Sequence, residues 1–354
     1  MKKKVLAALA ISIGCFEVSF GYEPDDLFHL LKTNACPGGN LIGAQLPHNL
    51  AGVNLCGANM LGAGLEDTNL SEGDLSWTLL QMANLQNANL EKTNLRWAVL
   101  YGSLLNRAQL TGANLSSADL LEADLSECIL WGATIEGANL ADANLSEANP
   151  LNATQREIPP RGTNLRKANL ARTNLKLIHL PGANLQWTNL TLADLTDADM
   201  RFSDLGNANL QEACLYRANC QEAFLQKANL VRANLKKTDF FKADLTGAIL
   251  SEATITQADW RLANLLWADL QNTNFSWTNL RQAKLIGSDL SNSLFFRADL
   301  SRACFSANTV VKGANFTKAI LNDIRYYDEK NKLTVKTTEE FRKWLLDNGA
   351  IICG

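Results

Sequence analysis

Histidine is nearly absent from this 354-residue chain: His29, His48 and His179 are the three. They stand far apart, so no Ser/His/Asp or Cys/His arrangement can be drawn. No Gly-rich phosphate loop and no metal-ligand spacing appears. No stretch is long and apolar enough to cross a bilayer. The formal charge is only −3, which predicts neither nucleic-acid binding nor strong acid mimicry. Together these absences speak against an enzyme, a cofactor, a metal or a membrane span. The cysteines are irregularly spaced and do not form a disulfide framework. Most suit a core as small residues, although Cys36 could pair with Cys56 or Cys353 in an oxidising compartment.

What is present begins with a targeting pattern. Lys2, Lys3 and Lys4 precede a short apolar run over residues 5–13. Ser19 and Gly21 occupy the small-residue positions of a cleavage site before Tyr22. The expectation is a signal peptide over residues 1–21 and a periplasmic or secreted mature protein of charge about −5. Lipidation at Cys15 fits less well, because Ser12 stands where an aliphatic residue is usual.

From Leu50 to Phe305 every fifth residue is apolar, except the consecutive Pro150, Gln155 and Pro160. Two places earlier stands a small residue, with His48, Ile158 and Ile178 the large exceptions. Asn or Asp usually lies between, as in Ala113-Asn114-Leu115. Residues two apart share one side of an extended strand. The small residue and the Leu therefore point inward and the Asn or Asp outward. The next two residues, polar and variable, must turn the chain, since a period of five fits neither helix nor straight strand. Three extended residues and a two-residue turn, repeated, close into stacked coils joined by parallel ladders.

These units resemble the pentapeptide-repeat family, whose consensus is A-(D/N)-L-x-x, over residues 39–321. The resemblance implies an all-β solenoid: a right-handed quadrilateral parallel β-helix with four units per coil. It would have about 13 coils and be on the order of 60 Å long. Short helical caps are expected at both ends. Residues 22–38 read as an N-terminal helix with Leu27, Phe28, Leu30 and Leu31 as its apolar face. Leu41 and Leu46 keep a register one residue off, with the step absorbed at residues 47–49. The register slips again between Phe305 and Phe316. Residues 322–354 read as a hairpin, then a helix opened by a Thr337/Glu340 capping box. Phe341, Trp344 and Leu345 would pack on the last coil. In the family such ends often form a dimer interface, so a homodimer through this cap is a possible partner.

Residues 150–162 interrupt the repeat with Pro150, Pro159 and Pro160 and carry Arg156 and Arg161. Proline cannot donate to a ladder, so a projecting loop is favoured over three degenerate units. Residues 20 apart should share a corner. After the break one corner carries Tyr216-Arg217, Lys236-Lys237, Trp277 and Phe296-Arg297, with Arg297 in reach of Trp277. Before it, Trp77 and Trp97 stack beside Arg96. If the break loops out, counting cannot match faces across it. These aromatic and basic residues, with Arg156 and Arg161, are the candidate interaction surface.

The reading is a non-catalytic exported scaffold that binds another protein. The family also includes DNA-mimicking regulators of DNA gyrase and secreted virulence effectors. A gyrase role conflicts with the export signal. It also conflicts with the charge, since residues 66–147 are acidic but 161–176 and 217–242 are rich in bases.

Overall fold

A computed structural model describes residues 21–149, 162–328, 330 and 332–352. The signal peptide read over residues 1–21 and the interruption with Arg156 and Arg161 lie outside them, apart from Gly21 and Gly162. The described chain is a four-sided parallel solenoid flanked by short elements.

One repeat shows how five residues make a side and a corner. The Leu55 amide donates to the Asp74 carbonyl of the next coil (2.8 Å), and the Gly57 amide to that of Ser76 (2.8 Å). The corner closes when the Ala58 amide donates to the Leu55 carbonyl at 2.9 Å. Its second residue has positive φ, as a type II turn requires. Glycine fills some of these positions, but Trp77 (φ 60°), Lys92 (56°) and Arg217 (58°) adopt the same conformation. That costs an L-residue roughly 1–2 kcal/mol, offset by the ladder bond each corner amide makes. The Asn or Asp before each Leu has a stated task. Its Oδ1 accepts the amide two residues on, as Asn84 does from Gln86 (3.1 Å) and Asp124 from Ser126 (3.0 Å). This Asx-turn holds the start of the corner.

Bridges join residues 20 apart along each side, for instance Asn69 to Asn89 and Asn89 to Gln109. Four pentapeptides therefore make one coil. The Leu column is fully buried from Leu55 onward, and buried hydroxyls at the small position find carbonyls, as Thr78 Oγ1 does at Leu75 (2.6 Å). Both register steps are single residues. Asn40 pairs with Asn59, 19 on, and Asp289 with Val310, 21 on.

The interruption changes the coil. Thr134 pairs with Asn164, Asn139 with Asn169 and Asn144 with Asn174. Thirty residues separate these partners instead of twenty, so ten are additional to the coil. At Asn149, the last residue described before the interruption, a side chain supplies bonds to the neighbouring coils. Its Oδ1 accepts the Leu130 amide at 2.6 Å and its Nδ2 donates to the His179 carbonyl at 3.1 Å. Asn149 is itself completely buried.

Helix α1 (Pro24–Thr33) precedes the first coil and ends at Asn34, in the left-handed region. Leu30 is buried and Leu27 packs against the core. Phe28 and Leu31, read as part of the same apolar face, are exposed instead, because a ten-residue helix lies against the rod along one narrow stripe. At the other end β1 (Cys304–Ser306) pairs in parallel with β2 (Ile324–Tyr327), which pairs antiparallel with β3 (Leu333–Lys336). Helix α2 (Thr338–Asp347) follows, with both bonds of its Thr337/Glu340 capping box formed. Phe341 and Leu345 are buried, and the Phe341 ring lies 4.8 Å from Phe305. The chain returns to the rod as Ile351 pairs with Asn315.

Cys36 and Cys56 are free thiols here, not a pair, and Cys353 lies outside the described residues. Burial pushes the Cys128 and Cys220 thiols well above their ordinary range. Alkylation of the native protein should therefore label the partly exposed Cys56 and Cys214 and spare Cys128 and Cys220 until unfolding. Mass spectrometry of the labelled peptides reads this directly.

Candidate interaction surface

The amide ladder gives each corner its column of side chains. One column runs Asp197, Arg217, Lys237, Gln257, Trp277, Arg297 and Lys318. Here the expected contacts are formed. The Arg297 guanidinium lies 4.5 Å over Trp277 and 5.5 Å over Phe296, whose ring meets Trp277 edge-on at 6.1 Å. Arg217 and Lys237 lie 5.2 and 5.8 Å over Tyr216. Arg217 also pairs with Asp197, but among the described residues Lys236, Lys237 and Arg297 make no ion pair. Lys318 over Phe296 (5.7 Å) extends the cluster by one coil.

Trp77 and Trp97 stack at 5.3 Å and 14°, beside Arg96, which makes no ion pair among the described residues. They do not share the corner of Trp277. Their column continues through Ser117 and Gly137 to Lys167 and Trp187, then Asn207, Lys227, Gly247, Trp267 and Gly287. Ten extra residues at the break move the chain by two sides, so Trp277 lies diagonally across the rod. Counting in twenties already sets Trp187 and Trp267 on one corner, which the sequence reading did not single out. Only the offset of ten, concealed because it preserves the fivefold phase, joins that corner to Trp77 and Trp97.

A second cluster lies beside the break. His179 Nδ1 contacts Asp199 Oδ2 at 2.8 Å, and Arg201 meets the same carboxylate at 2.8 Å. The Trp131 ring stands edge-on to His179 at 5.6 Å. Burial alone would raise the Asp199 carboxyl, but the bonds from His179 and Arg201 outweigh it and hold the group well below the usual carboxylate range. The arrangement carries no serine or cysteine nucleophile bonded to His179, and it holds two coils together. Its contribution is fully present above the ordinary carboxylate range and fades as pH falls toward the depressed value. Asp199→Ala should therefore lower the urea midpoint at pH 7, with a deficit that shrinks below about pH 4. Among the described residues no group of three or more His, Cys, Asp or Glu could hold a metal ion. No described helix is long and apolar enough to cross a membrane.

A family model described as pentapeptide repeats matches residues 49–149 and 161–307. No curated protein matches. Among solved structures, HetL is 27% identical, covering 71% of this chain and 91% of that one, at a TM-score of 0.24. It is a pentapeptide repeat protein involved in heterocyst differentiation regulation, from Nostoc sp. strain PCC 7120. A pentapeptide repeat protein of the Arabidopsis thaliana thylakoid lumen is 27% identical over 38% of this chain and 68% of that one (TM-score 0.22). QnrB1, a plasmid-mediated fluoroquinolone resistance protein, is 17% identical over 72% and 99% (TM-score 0.24).

Proposed function

The chain belongs to the pentapeptide-repeat family, and from that premise we propose that it is an exported, non-catalytic rod that holds a protein partner along one corner. The supporting observation is the column from Tyr216 to Lys318. Rings are held in place there by cations, and among the described residues Lys236, Arg297 and Lys318 form no ion pair. Rigid aromatics beside basic groups are the usual anchors of protein interfaces. Export is supported by the basic and apolar pattern of residues 1–21. The right-handed coil follows the family's fold. A homodimer through the C-terminal elements is supported by β3, an edge strand whose Leu333 and Val335 are exposed and whose outer side is open to pairing.

The test places a photo-crosslinking residue at position 277 in the full-length chain, expressed in a Gram-negative cell. Expected are a mature form beginning at Tyr22 outside the cytosol and a discrete crosslinked protein that Arg297→Glu abolishes. A full-length cytosolic form without crosslinks would overturn the reading and make gyrase supercoiling the next assay.

A further inference from the structure

The corner opposite Trp277 has a different character, and we propose that it binds a linear acidic polysaccharide laid along the rod. The proposal does not depend on the protein-partner reading, because it concerns another face. Along this corner Trp77 (59% exposed), Trp97 (44%), Trp187 (55%) and Trp267 (57%) stand in single file. The amide ladder places four coils between Trp97 and Trp187, and four again between Trp187 and Trp267. At one strand spacing per coil each interval is about 19 Å. The Trp267 ring lies flat against the next coil: a Cβ on Gly287 would fall 2.3 Å from its Cε3. One face of the indole is thereby seated and the other left to solvent.

The charge pattern is equally regular. The left-handed position of this corner carries no acidic residue from Gly57 to Gly287. Each of the other three corners has several, among them Glu127 and Asp197, Glu122 and Glu252, or Glu72 and Glu222. Glu136, the acid at the neighbouring corner position, is neutralised by Arg166 at 2.8 Å. Among the described residues Arg96, Lys167 and Lys227 make no ion pair, and they stand at intervals of three coils, about 14 Å. The adjoining side carries carboxamides in register at Asn139, Asn169, Asn189, Asn209 and Asn229; each Nδ2 already donates one bond, as Asn169 does to Asn139 and Asn229 to Asn209 (3.0 Å), and has a second hydrogen to donate.

A pyranose ring has an apolar C–H face and a rim of hydroxyls. It stacks on an indole face through dispersion and C–H contacts, its hydroxyls reach neighbouring amides, and its carboxylates pair with spaced cations. Trp97, Trp187 and Trp267 recur every four coils, with Trp77 stacked on Trp97, and recurrence along a line is what a repeating polymer requires. A protein interface concentrates its anchors at the centre of a patch, and a membrane-facing strip is continuously apolar. Single-stranded nucleic acid brings one phosphate per base and uses a densely basic groove. Three cations over nine coils, with Asp119 and Asp269 on one adjoining side and Asp74, Asp204 and Asp244 on the other, do not supply one.

The test titrates the mature protein with alginate, hyaluronan and polygalacturonate, following tryptophan fluorescence and mobility in polymer-containing native gels. We expect binding to at least one, weakened about tenfold by Trp187→Ala with Trp267→Ala and left unchanged by Trp277→Ala. Lys167→Gln with Lys227→Gln should weaken it and flatten its salt dependence. Trp187→Phe with Trp267→Phe should retain it, and thermal unfolding of each variant verifies the fold. Failure of all three polymers, equal loss with Trp277→Ala, equal binding of neutral hydroxyethylcellulose, or tighter binding of poly(dT) would each overturn the proposal.

Discussion

Asn149→Leu should destabilise the rod by about 2–5 kcal/mol, a large effect for one substitution at a repeat position. The leucine matches the volume but leaves the Leu130 amide and the His179 carbonyl buried without partners. Each orphaned group costs about 1–3 kcal/mol. The same exchange at Asn144 should cost much less, because its backbone keeps the ladder: the Asn144 amide donates to Ala123 and Leu145 to Asn174. A solenoid is stabilised by nearest-neighbour contacts between coils. Weakening the junction should therefore also divide the cooperativity. Urea unfolding followed by tryptophan fluorescence is expected to show one transition for the natural chain and two for Asn149→Leu. A single unshifted transition would show that the carboxamide is not the link.

Phe295→Ala should cost about 3–5 kcal/mol through a cavity in the rod axis. Phe275, Phe295 and Phe316 are fully buried. Their rings stack nearly parallel, with centroids 5.0 and 4.6 Å apart and interplanar angles of 3° and 2°. The middle ring has a partner on each side, and the coils cannot collapse toward the gap because their ladders fix the spacing. Trp260→Phe should behave oppositely. Trp260 is equally buried, but its Nε1 has no hydrogen-bond partner among the described residues, and removing that donor relieves a desolvation cost that offsets the lost volume. Thermal unfolding of both variants checks the contrast. A Phe295→Ala protein as stable as the natural one would mean that the stack is not continuous.

The inward and outward positions were legible in the sequence because they are local. A Leu every fifth residue, a small residue two before it and an Asn or Asp between state which way each side chain points without reference to any distant residue. The Thr337/Glu340 box and the strand at Ile324–Tyr327 were legible for the same reason. The corner from Tyr216 to Arg297 could be assembled by counting in twenties, since nothing interrupts the coils there. Asn149 could not be singled out, because an asparagine at that repeat position looks like any other until its neighbours lose their ladder.

The sequence by itself determined the period, the buried column and the four-unit coil expected of the family. The tertiary structure alone decided which corners of the two halves align. Bridge partners across the break stand thirty residues apart instead of twenty, and the extra ten is a whole number of repeats, so the inside-outside pattern passes through undisturbed. The rotation about the rod does not: it shifts by two sides. Trp187 and Trp267 therefore join Trp77 and Trp97, while Trp277 faces the other way.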